Sequence, residues 1–277
     1  MCLIVLAWRT HPRYRLIVAA NRDEYFGRPT APATFWDDHP GVLAGRDLEA
    51  GGTWLGITPQ GRFAALTNYR NPADQKTGAP SRGALVSDFL TGNTGPGEYV
   101  REIEKHARDY NGFSLLAGDA ASMYFFSNRG GHPARVEPGV HGLSNHLLDT
   151  PWPKVEKGKA AFSALLDKPF DAEAALHLLD DTQRASDELL PSTGVSLELE
   201  ERLSAIRIPA VGGYGTRCST VLSFAEDGKV EFHERSYRED GGASGTVSYR
   251  FTVPPGKDRA SSRRAQSLPP KTPLPVR

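Results

Sequence analysis

A cysteine stands directly after the initiator methionine, in the opening stretch MCLIVLAW. Removal of methionine is favoured when the second residue is small, and it would leave Cys2 with both a thiol and a free α-amine. An α-amine titrates near pH ~8 and a free thiol near ~8.5, so the amine can take the thiol proton directly or through a water. Cys2 would thus be a self-activated nucleophile that needs no histidine.

A polar cluster ends the next apolar run, in the stretch NRDE at residues 21–24. The runs CLIVLAW and RLIVAAN would form an antiparallel hairpin around a loop near residue 12, in which the numbers of paired residues add up to about 24. Cys2 then lies opposite Arg22. Asp23 would hold the α-ammonium or orient the amine, while Arg22 would lower the thiol pKa or bind an anionic substrate.

Each of these residues also has a purely structural interpretation. A cysteine near the start of a buried strand is commonly a small hydrophobic core residue. The stretch NRDE is also typical of a solvated strand end with turn chemistry. The hairpin register favours the catalytic interpretation, because it brings the polar cluster next to the thiol.

The elements that must position these residues occur in blocks along the chain. CLIVLAW and RLIVAAN predict strands that are buried on both faces. Further strands are predicted for GTWLGIT and RFAALTN, for FSLLAGD and SMYFFSN, and for STVLSFA, KVEFHER and TVSYRFTV. Helices are predicted for RGALVSDFL, GEYVREIEKHARDY, PKVEKGKAAFSALL and DAEAALHLLDD, the last with Asp171 as N-cap. This order indicates a layered α+β domain rather than a parallel sheet with regular helical crossovers.

The composition limits the classes of function. The chain has 277 residues, of which 39% are hydrophobic, enough for one large domain with a real core. Lys plus Arg and Asp plus Glu both number 33, which argues against a protein that binds nucleic acid through its phosphates. Cys2 and Cys218 are too few for a disulfide framework, so we expect reduced thiols and a cytoplasmic location.

Two further expectations concern the ends and the surface of the chain. No apolar run approaches the ~20 residues of a membrane span, so we expect no transmembrane segment. Residues 254–277 are basic and rich in proline, so we expect a disordered tail after a domain that covers residues 1–253.

Six short motifs together resemble the NRDE family, which includes the animal transport-and-Golgi-organisation proteins. They are MC at residue 1, NRDE at 21–24, GGTWLG at 51–56, TNYR at 67–70, GLSN at 142–145 and YGTR at 214–217. The resemblance extends from residue 1 to about residue 253. The family in turn resembles N-terminal-nucleophile hydrolases of the penicillin V acylase and conjugated bile acid hydrolase type.

The resemblance implies a four-layer αββα sandwich and a set of site residues. Cys2 matches the nucleophile, and Asn21 and Asp23 match an Asn-x-Asp whose aspartate contacts the nucleophile's amine. Asn68 and Asn145 match asparagines that stabilise the oxyanion, and Arg217 resembles a late arginine near the thiol. Neutral donors that are fixed before charge develops suit this chemistry.

The sequence departs from the acylases at one position near the nucleophile. The acylases have an arginine immediately before the Asn-x-Asp, whereas this chain has Ala20 there and an arginine two residues later, Arg22. Arg22 completes the set of candidate catalytic residues. This departure motivates an alternative to a hydrolase: a haem or hydrophobic-metabolite carrier, involved in binding or trafficking, that keeps the fold and has lost turnover.

Three residues are candidates for substrate binding: Trp54, Tyr69 and His141. Trp54 lies in GGTWLG, whose glycines allow close backbone approach, and it would either wall a pocket or fill the core. His141 and His146 flank GLSN and could bind a metal or haem iron, although hydrogen-bonding roles are commoner for such histidines. We expect a small-molecule substrate or ligand and, for the hydrolase, neither a metal nor a cofactor.

Overall fold

The computed structural model describes residues 2–254, which form two antiparallel β-sheets and five α-helices. The predicted tail therefore lies outside the described residues from 255 onward, and the domain boundary at 253 stays a prediction. No helix within the described part of the chain is long and apolar enough to cross a membrane.

The first sheet has six strands and carries the N-terminal cysteine. In spatial order it contains β10 (Gly139–Leu143), β1 (Cys2–His11), β2 (Tyr14–Tyr25), β11 (Tyr214–Ala225), β12 (Lys229–Tyr237) and β13 (Ala243–Thr252). β1 and β2 are both interior strands of this sheet. Every residue from Cys2 to Trp8 is buried, because both faces of this part of the sheet are covered.

The second sheet has seven strands in chain order. They are β3 (Thr30–Phe35), β4 (Leu43–Asp47), β5 (Leu55–Ile57), β6 (Phe63–Asn68), β7 (Phe113–Gly118), β8 (Met123–Ser127) and β9 (Gly130–Arg135). Each strand pairs with the next one along the chain, so this sheet is a meander built from local connections.

Two pairs of helices cover the outer faces of the sheets. α1 (Gly83–Thr91) and α2 (Pro96–His106) pack on the second sheet, and α3 (Pro153–Leu166) and α4 (Ala172–Leu178) pack on the first sheet. α5 (Leu197–Leu203) follows α4 along the chain. Asp171 caps α4 as predicted, since its side chain accepts a hydrogen bond from the Glu173 backbone.

The alternation of side chains along β1 and β2 separates two of the three hydrophobic clusters. The even-numbered residues, such as Ile4 and Val18, pack between the sheets, whereas odd-numbered residues, such as Val5 and Ile17, pack against the helices. A third cluster lies between the second sheet and α1 and α2. The architecture is the αββα sandwich that the resemblance implied.

The hairpin register is confirmed: Cys2 pairs with Arg22, and Ile4 pairs with Ala20. The stretch NRDE is not a solvated strand end, because it continues β2 and its first three residues are buried. The sequence had not indicated β3, β4, β9 or α5.

Candidate active site

The candidate nucleophile begins a row of three side chains that crosses the first sheet. Arg22 of β2 pairs with Cys2 of β1 on one side and with Cys218 of β11 on the other. Directly paired residues point to the same face of a sheet. This face is the one between the two sheets, because the even-numbered residues of β1 and β2 pack there.

A cavity of about 460 Å³ opens between the sheets at this row. It brings together five of the predicted site residues, namely Cys2, Arg22, Asp23, Asn68 and Trp54. The lining also contains arginines and carboxylates in equal number, with Arg28, Arg46 and Arg82 beside Glu24, Asp47 and Glu49. Several of these charges pair with one another, as Arg28 does with Asp47 at 2.7 Å.

The surroundings of Cys2 favour the neutral thiol. Burial raises the pKa of the Cys2 thiol, while the backbone of Asp23 and the charge of Arg22 act in the opposite direction. The Cys2 carbonyl accepts a hydrogen bond of 3.0 Å from the Ser144 hydroxyl, which ties the start of β1 to the GLSN segment. Reaction as a thiolate therefore requires a base close to Cys2.

Asp23 lies on the other face of β2, toward the helices. Its Oδ1 accepts a hydrogen bond of 2.6 Å from the Thr216 hydroxyl, and its Oδ2 lies 3.9 Å from the Nζ of Lys154. Burial raises the pKa of the Asp23 carboxyl, and the charge of Lys154 is the largest opposing influence. Arg22 and Asp23 thus serve opposite faces of the strand on which they are neighbours.

The two candidate oxyanion asparagines are neighbours at different depths. Asn68 ends β6 and lines the cavity. Asn145 is fully buried and lies outside the lining, and its Nδ2 donates a hydrogen bond of 2.9 Å to the Asn68 carbonyl. In this arrangement Asn145 holds the backbone that carries Asn68.

Asn21 and Arg217 have their polar atoms committed elsewhere. The Asn21 side chain donates to the carbonyls of Leu179 and Ile206 at 2.9 Å each, which anchors the helical layer to β2. Arg217 and Cys218 line a smaller cavity of about 160 Å³. The NH1 of Arg217 donates a hydrogen bond of 2.6 Å to the Tyr25 carbonyl. The catalytic roles assigned to Asn21 and Arg217 stay predictions.

The three candidate substrate-binding residues are dispersed. Trp54 lines both cavities. The Tyr69 hydroxyl lies 2.6 Å from the Nε2 of His146, and His141 lies 2.7 Å from Asp149, and neither Tyr69 nor His141 is among the lining residues of the larger cavity. Within residues 2–254, no group of three or more His, Cys, Asp or Glu side chains has an arrangement that could hold a metal.

Lys154, Thr216 and Arg82 are the members of the site that sequence reasoning missed. Lys154 lies in the first turn of α3 with a side chain that is only 1% exposed, whereas a lysine is normally on the surface. Thr216 lies in the YGTR motif beside Arg217, so the motif was a signal for it. Arg82 directly precedes α1, and its NH1 donates a hydrogen bond of 3.0 Å to the Gly112 carbonyl.

Two solved structures of other proteins align with most of this chain, with TM-scores below 0.5. An ortholog of N-acylethanolamine-hydrolyzing acid amidase from Caenorhabditis elegans is 11% identical, covers 80% of this chain and 92% of its own, and has a TM-score of 0.48. A mutant of the conjugated bile acid hydrolase from Clostridium perfringens is 9% identical, covers 91% and 98%, and has a TM-score of 0.47. At such scores neither overlay carries a conclusion about activity.

The sequence comparisons are more extensive. The mouse protein "Transport and Golgi organization 2 homolog" is 36% identical over an alignment of 275 positions, which covers 91% of this chain and 99% of the mouse protein. The Drosophila melanogaster protein "Transport and Golgi organization protein 2" is 28% identical over an alignment of 277 positions, which covers 85% of this chain and 92% of the Drosophila protein. The family model described as "Transport and Golgi organisation 2" matches residues 1–239. The chain therefore belongs to the Transport and Golgi organisation 2 family, as the six motifs had indicated.

Proposed function

We propose that the protein is an N-terminal cysteine hydrolase that cleaves a small amide or a related acyl compound. The observation that carries this proposal is the position of Cys2: it begins β1, lines the cavity between the sheets and lies directly opposite Arg22. A buried thiol in a polar cavity beside neutral and cationic donors is a suitable setting for acyl transfer.

The reaction would proceed in two steps after removal of Met1. The Cys2 Sγ attacks the carbonyl carbon of the substrate, and the α-amine of Cys2 takes the thiol proton. The C–N bond of the tetrahedral intermediate then breaks, the leaving amine takes the proton from the α-ammonium, and a thioester remains on Cys2. Water attacks the thioester with the α-amine as base, which releases the acid and restores the thiol.

Asn68 is the best-placed candidate to bind the oxyanion of that intermediate. It lines the same cavity as Cys2, and the hydrogen bond from Asn145 fixes its backbone before any charge develops. Removal of one such preorganised donor typically costs about 3–4 kcal/mol of transition-state stabilisation. Asn145 would then be a positioning residue.

The charge of the cavity lining favours a polar substrate. Four arginines and four carboxylates share the lining, so an entirely apolar compound would leave charged groups without water or a partner. The polar contacts of Arg22 are long, 3.8 Å to Glu24 and 3.5 Å to the Thr30 hydroxyl. We propose that it orients an anionic or carbonyl oxygen of the substrate near the thiol. A cytoplasmic location, where thiols stay reduced, is part of the same proposal.

The first test is the state and reactivity of Cys2 in the natively expressed protein. We expect the intact mass to show loss of Met1, and peptide mapping to show faster alkylation of Cys2 than of Cys218 by iodoacetamide. Cys218 is a matched control because both residues are 7% exposed. Burial raises the pKa of Cys218 well above its ordinary value, and the charge of Glu234 adds to this effect.

Turnover is tested with a panel of N-acyl amides. Cys2→Ala should abolish release of the amine, whereas Cys218→Ala should retain it. A natively expressed chain that keeps Met1 would rule out the self-activated mechanism, and activity that survives in Cys2→Ala would rule out the nucleophile.

A carrier of haem or another hydrophobic metabolite is the second candidate function. Burial raises the pKa of the Cys2 thiol, so without an effective base Cys2 stays a neutral thiol. Ala20, where the acylases have arginine, favours the same alternative. Saturable haem binding in a Cys2→Ala variant would support a carrier that does not need the thiol. Binding lost with Cys2 would instead indicate thiolate ligation, and no binding in either form would exclude a haem carrier.

A further inference from the structure

Lys154 is a buried lysine next to the candidate site. Its side chain is 1% exposed, and its Nζ lies 3.9 Å from the Oδ2 of Asp23, whose side chain is fully buried. The residue occupies the first turn of α3, directly before Val155, which packs in the hydrophobic cluster against β1. Lys154 therefore brings a charged group into the layer between α3 and the first sheet.

The stability of the fold gives no evident reason for a lysine here. The distance of 3.9 Å is long for a hydrogen bond, and within the described chain the Nζ has no hydrogen-bond partner. Replacement of a buried ion pair by well-packed apolar residues is often neutral or stabilising, so packing alone would favour an apolar residue at this position.

The charged groups around Lys154 come from several elements. Asp23 of β2 is the closest, and Cys2 of β1 and Arg70 after β6 also influence it electrostatically. Arg70 is itself paired with Glu200 of α5 at 2.5 Å. Thr216 of β11 donates a hydrogen bond to the Asp23 carboxylate. Burial raises the pKa of Tyr214 on the same strand, and the charges of Asp23 and Cys2 add to this effect.

These neighbours give Lys154 an unusual protonation equilibrium. Burial lowers the pKa of Lys154 to about 8, with Asp23 opposing the change. In turn, the charge of Lys154 is the largest influence that opposes the burial-raised pKa of Asp23. Each of the two groups thus favours the charged form of the other.

We propose that Lys154 is a positioning residue for Cys2 that acts through Asp23. It offsets part of the negative charge of the Asp23 carboxylate, so that Asp23 can orient the α-amine of Cys2 without locking the amine in its protonated form. This inference rests on the proposed hydrolase mechanism, in which that amine must take the thiol proton.

The test is the pH profile of Cys2 alkylation in variants of Lys154. Removal of a cation raises the pKa of every group that it faces. We expect Lys154→Met to move the midpoint of Cys2 alkylation upward by about one pH unit, which is about tenfold in rate at a pH below the midpoint. Lys154→Arg keeps the charge and should stay close to wild type.

A matched control comes from the same helix. Lys157 lies one turn along α3 and pairs with Asp181 on the surface, so Lys157→Met should leave the profile unchanged. If Lys154→Met does not fold, Lys154→Gln carries the same expectation with a polar side chain.

The path through Asp23 is tested by a double-variant cycle. In an Asp23→Asn background, Lys154→Met should shift the midpoint by much less than it does in the wild-type background. An equal shift in both backgrounds would show that Lys154 does not act through Asp23, and a folded Lys154→Met with a wild-type profile would overturn the proposal.

Different results would overturn the proposed hydrolase mechanism and the proposed role of Lys154. A chain that keeps Met1, or whose Cys2 reacts no faster than Cys218, overturns the hydrolase mechanism and this inference with it. A processed wild-type protein with a reactive Cys2 but no response to Lys154→Met overturns only the role of Lys154.

Discussion

Two adjacent residues, Arg22 and Asp23, divide the work of the candidate site between the two faces of one strand. Arg22 points into the cavity between the sheets, where it lies beside Cys2. Asp23 points toward the helices and meets Thr216 and Lys154. Side chains alternate along a strand, so Arg22 and Asp23 lie on opposite faces of β2. Both faces lie close to Cys2 here, because β2 passes the start of β1 at these residues.

At this scale we predict that Asp23→Asn changes both reactivity and stability. The variant leaves Lys154 buried beside a neutral amide, which should lower the free energy of unfolding by about 3 kcal/mol near neutral pH. The pKa of the Cys2 amine should fall because the ammonium form loses its anion, so the alkylation profile should move to lower pH. Chemical denaturation and alkylation kinetics measure the two effects.

Asp227→Asn is the control for that experiment. Asp227 pairs with Lys229 at 2.7 Å on the surface, where solvent and salt screen the attraction, so the pair contributes little to stability. An Asp23→Asn variant that is no less stable than Asp227→Asn, and that has an unchanged alkylation profile, would contradict a role for Asp23 as a buried partner.

The elements around the cavity approach one another closely at glycines. A Cβ on Gly52 would lie 2.6 Å from the carbonyl carbon of Gly83, where α1 begins. The segment after Gly52 includes Thr53 and Trp54, both in the cavity lining. The glycine therefore lets the backbone that carries Trp54 lie directly against the start of α1.

We predict that Gly52→Ala destabilises this contact and disturbs the cavity. The added methyl group meets backbone rather than a flexible side chain, so it should lower the free energy of unfolding by about 1–3 kcal/mol. Gly245→Ala is the control, because a Cβ there would meet nothing within 4 Å. Equal melting temperatures for the two variants would show that the approach of Gly52 to α1 is not tight.

Over the whole molecule, buried ionisable groups lie on both sides of the first sheet. Arg70 and Glu200 pair on the helical side, and Glu234 of β12 accepts a hydrogen bond of 2.7 Å from the Ala33 backbone across the space between the sheets. The side chains of such groups couple the stability of the fold to pH wherever the pKa differs between folded and unfolded chains.

Lys154 allows this coupling to be measured. Its pKa is lowered from 10.5 to about 8 in the folded chain. Between these pH values the unfolded chain binds the proton and the folded chain does not, so the contribution of Lys154 to stability rises with pH across this window. The full gain is about 3 kcal/mol.

We therefore predict that the difference in unfolding free energy between wild type and Lys154→Met becomes more favourable to wild type from about pH 8 to about pH 10.5. Buried thiols and tyrosines with raised pKa values lower the stability of both proteins at high pH, so their contribution cancels in the difference. Urea denaturation across this range measures it, and a difference that stays constant with pH would contradict the lowered pKa of Lys154.

Much of the fold and part of the site were predictable from local sequence. The register of β1 with β2 follows from two apolar runs joined by a short loop, since an antiparallel hairpin permits only mirror pairing. Asp171 as N-cap and the bounds of α3 likewise depend on neighbouring residues. In contrast, β9 has no fully buried residue and no clear alternation, so its sequence carried no strand signal.

The sequence by itself determined that Cys2 lies opposite Arg22. Both residues belong to one hairpin, in which the short loop sets which residues pair. Only the tertiary structure decided that Cys218 extends the same row, that Asn145 supports Asn68 from outside the cavity, and that Lys154 meets Asp23. Each of these contacts joins segments that are more than 70 residues apart. Their proximity results from the packing of whole sheets and helices, which no local pattern of residues encodes.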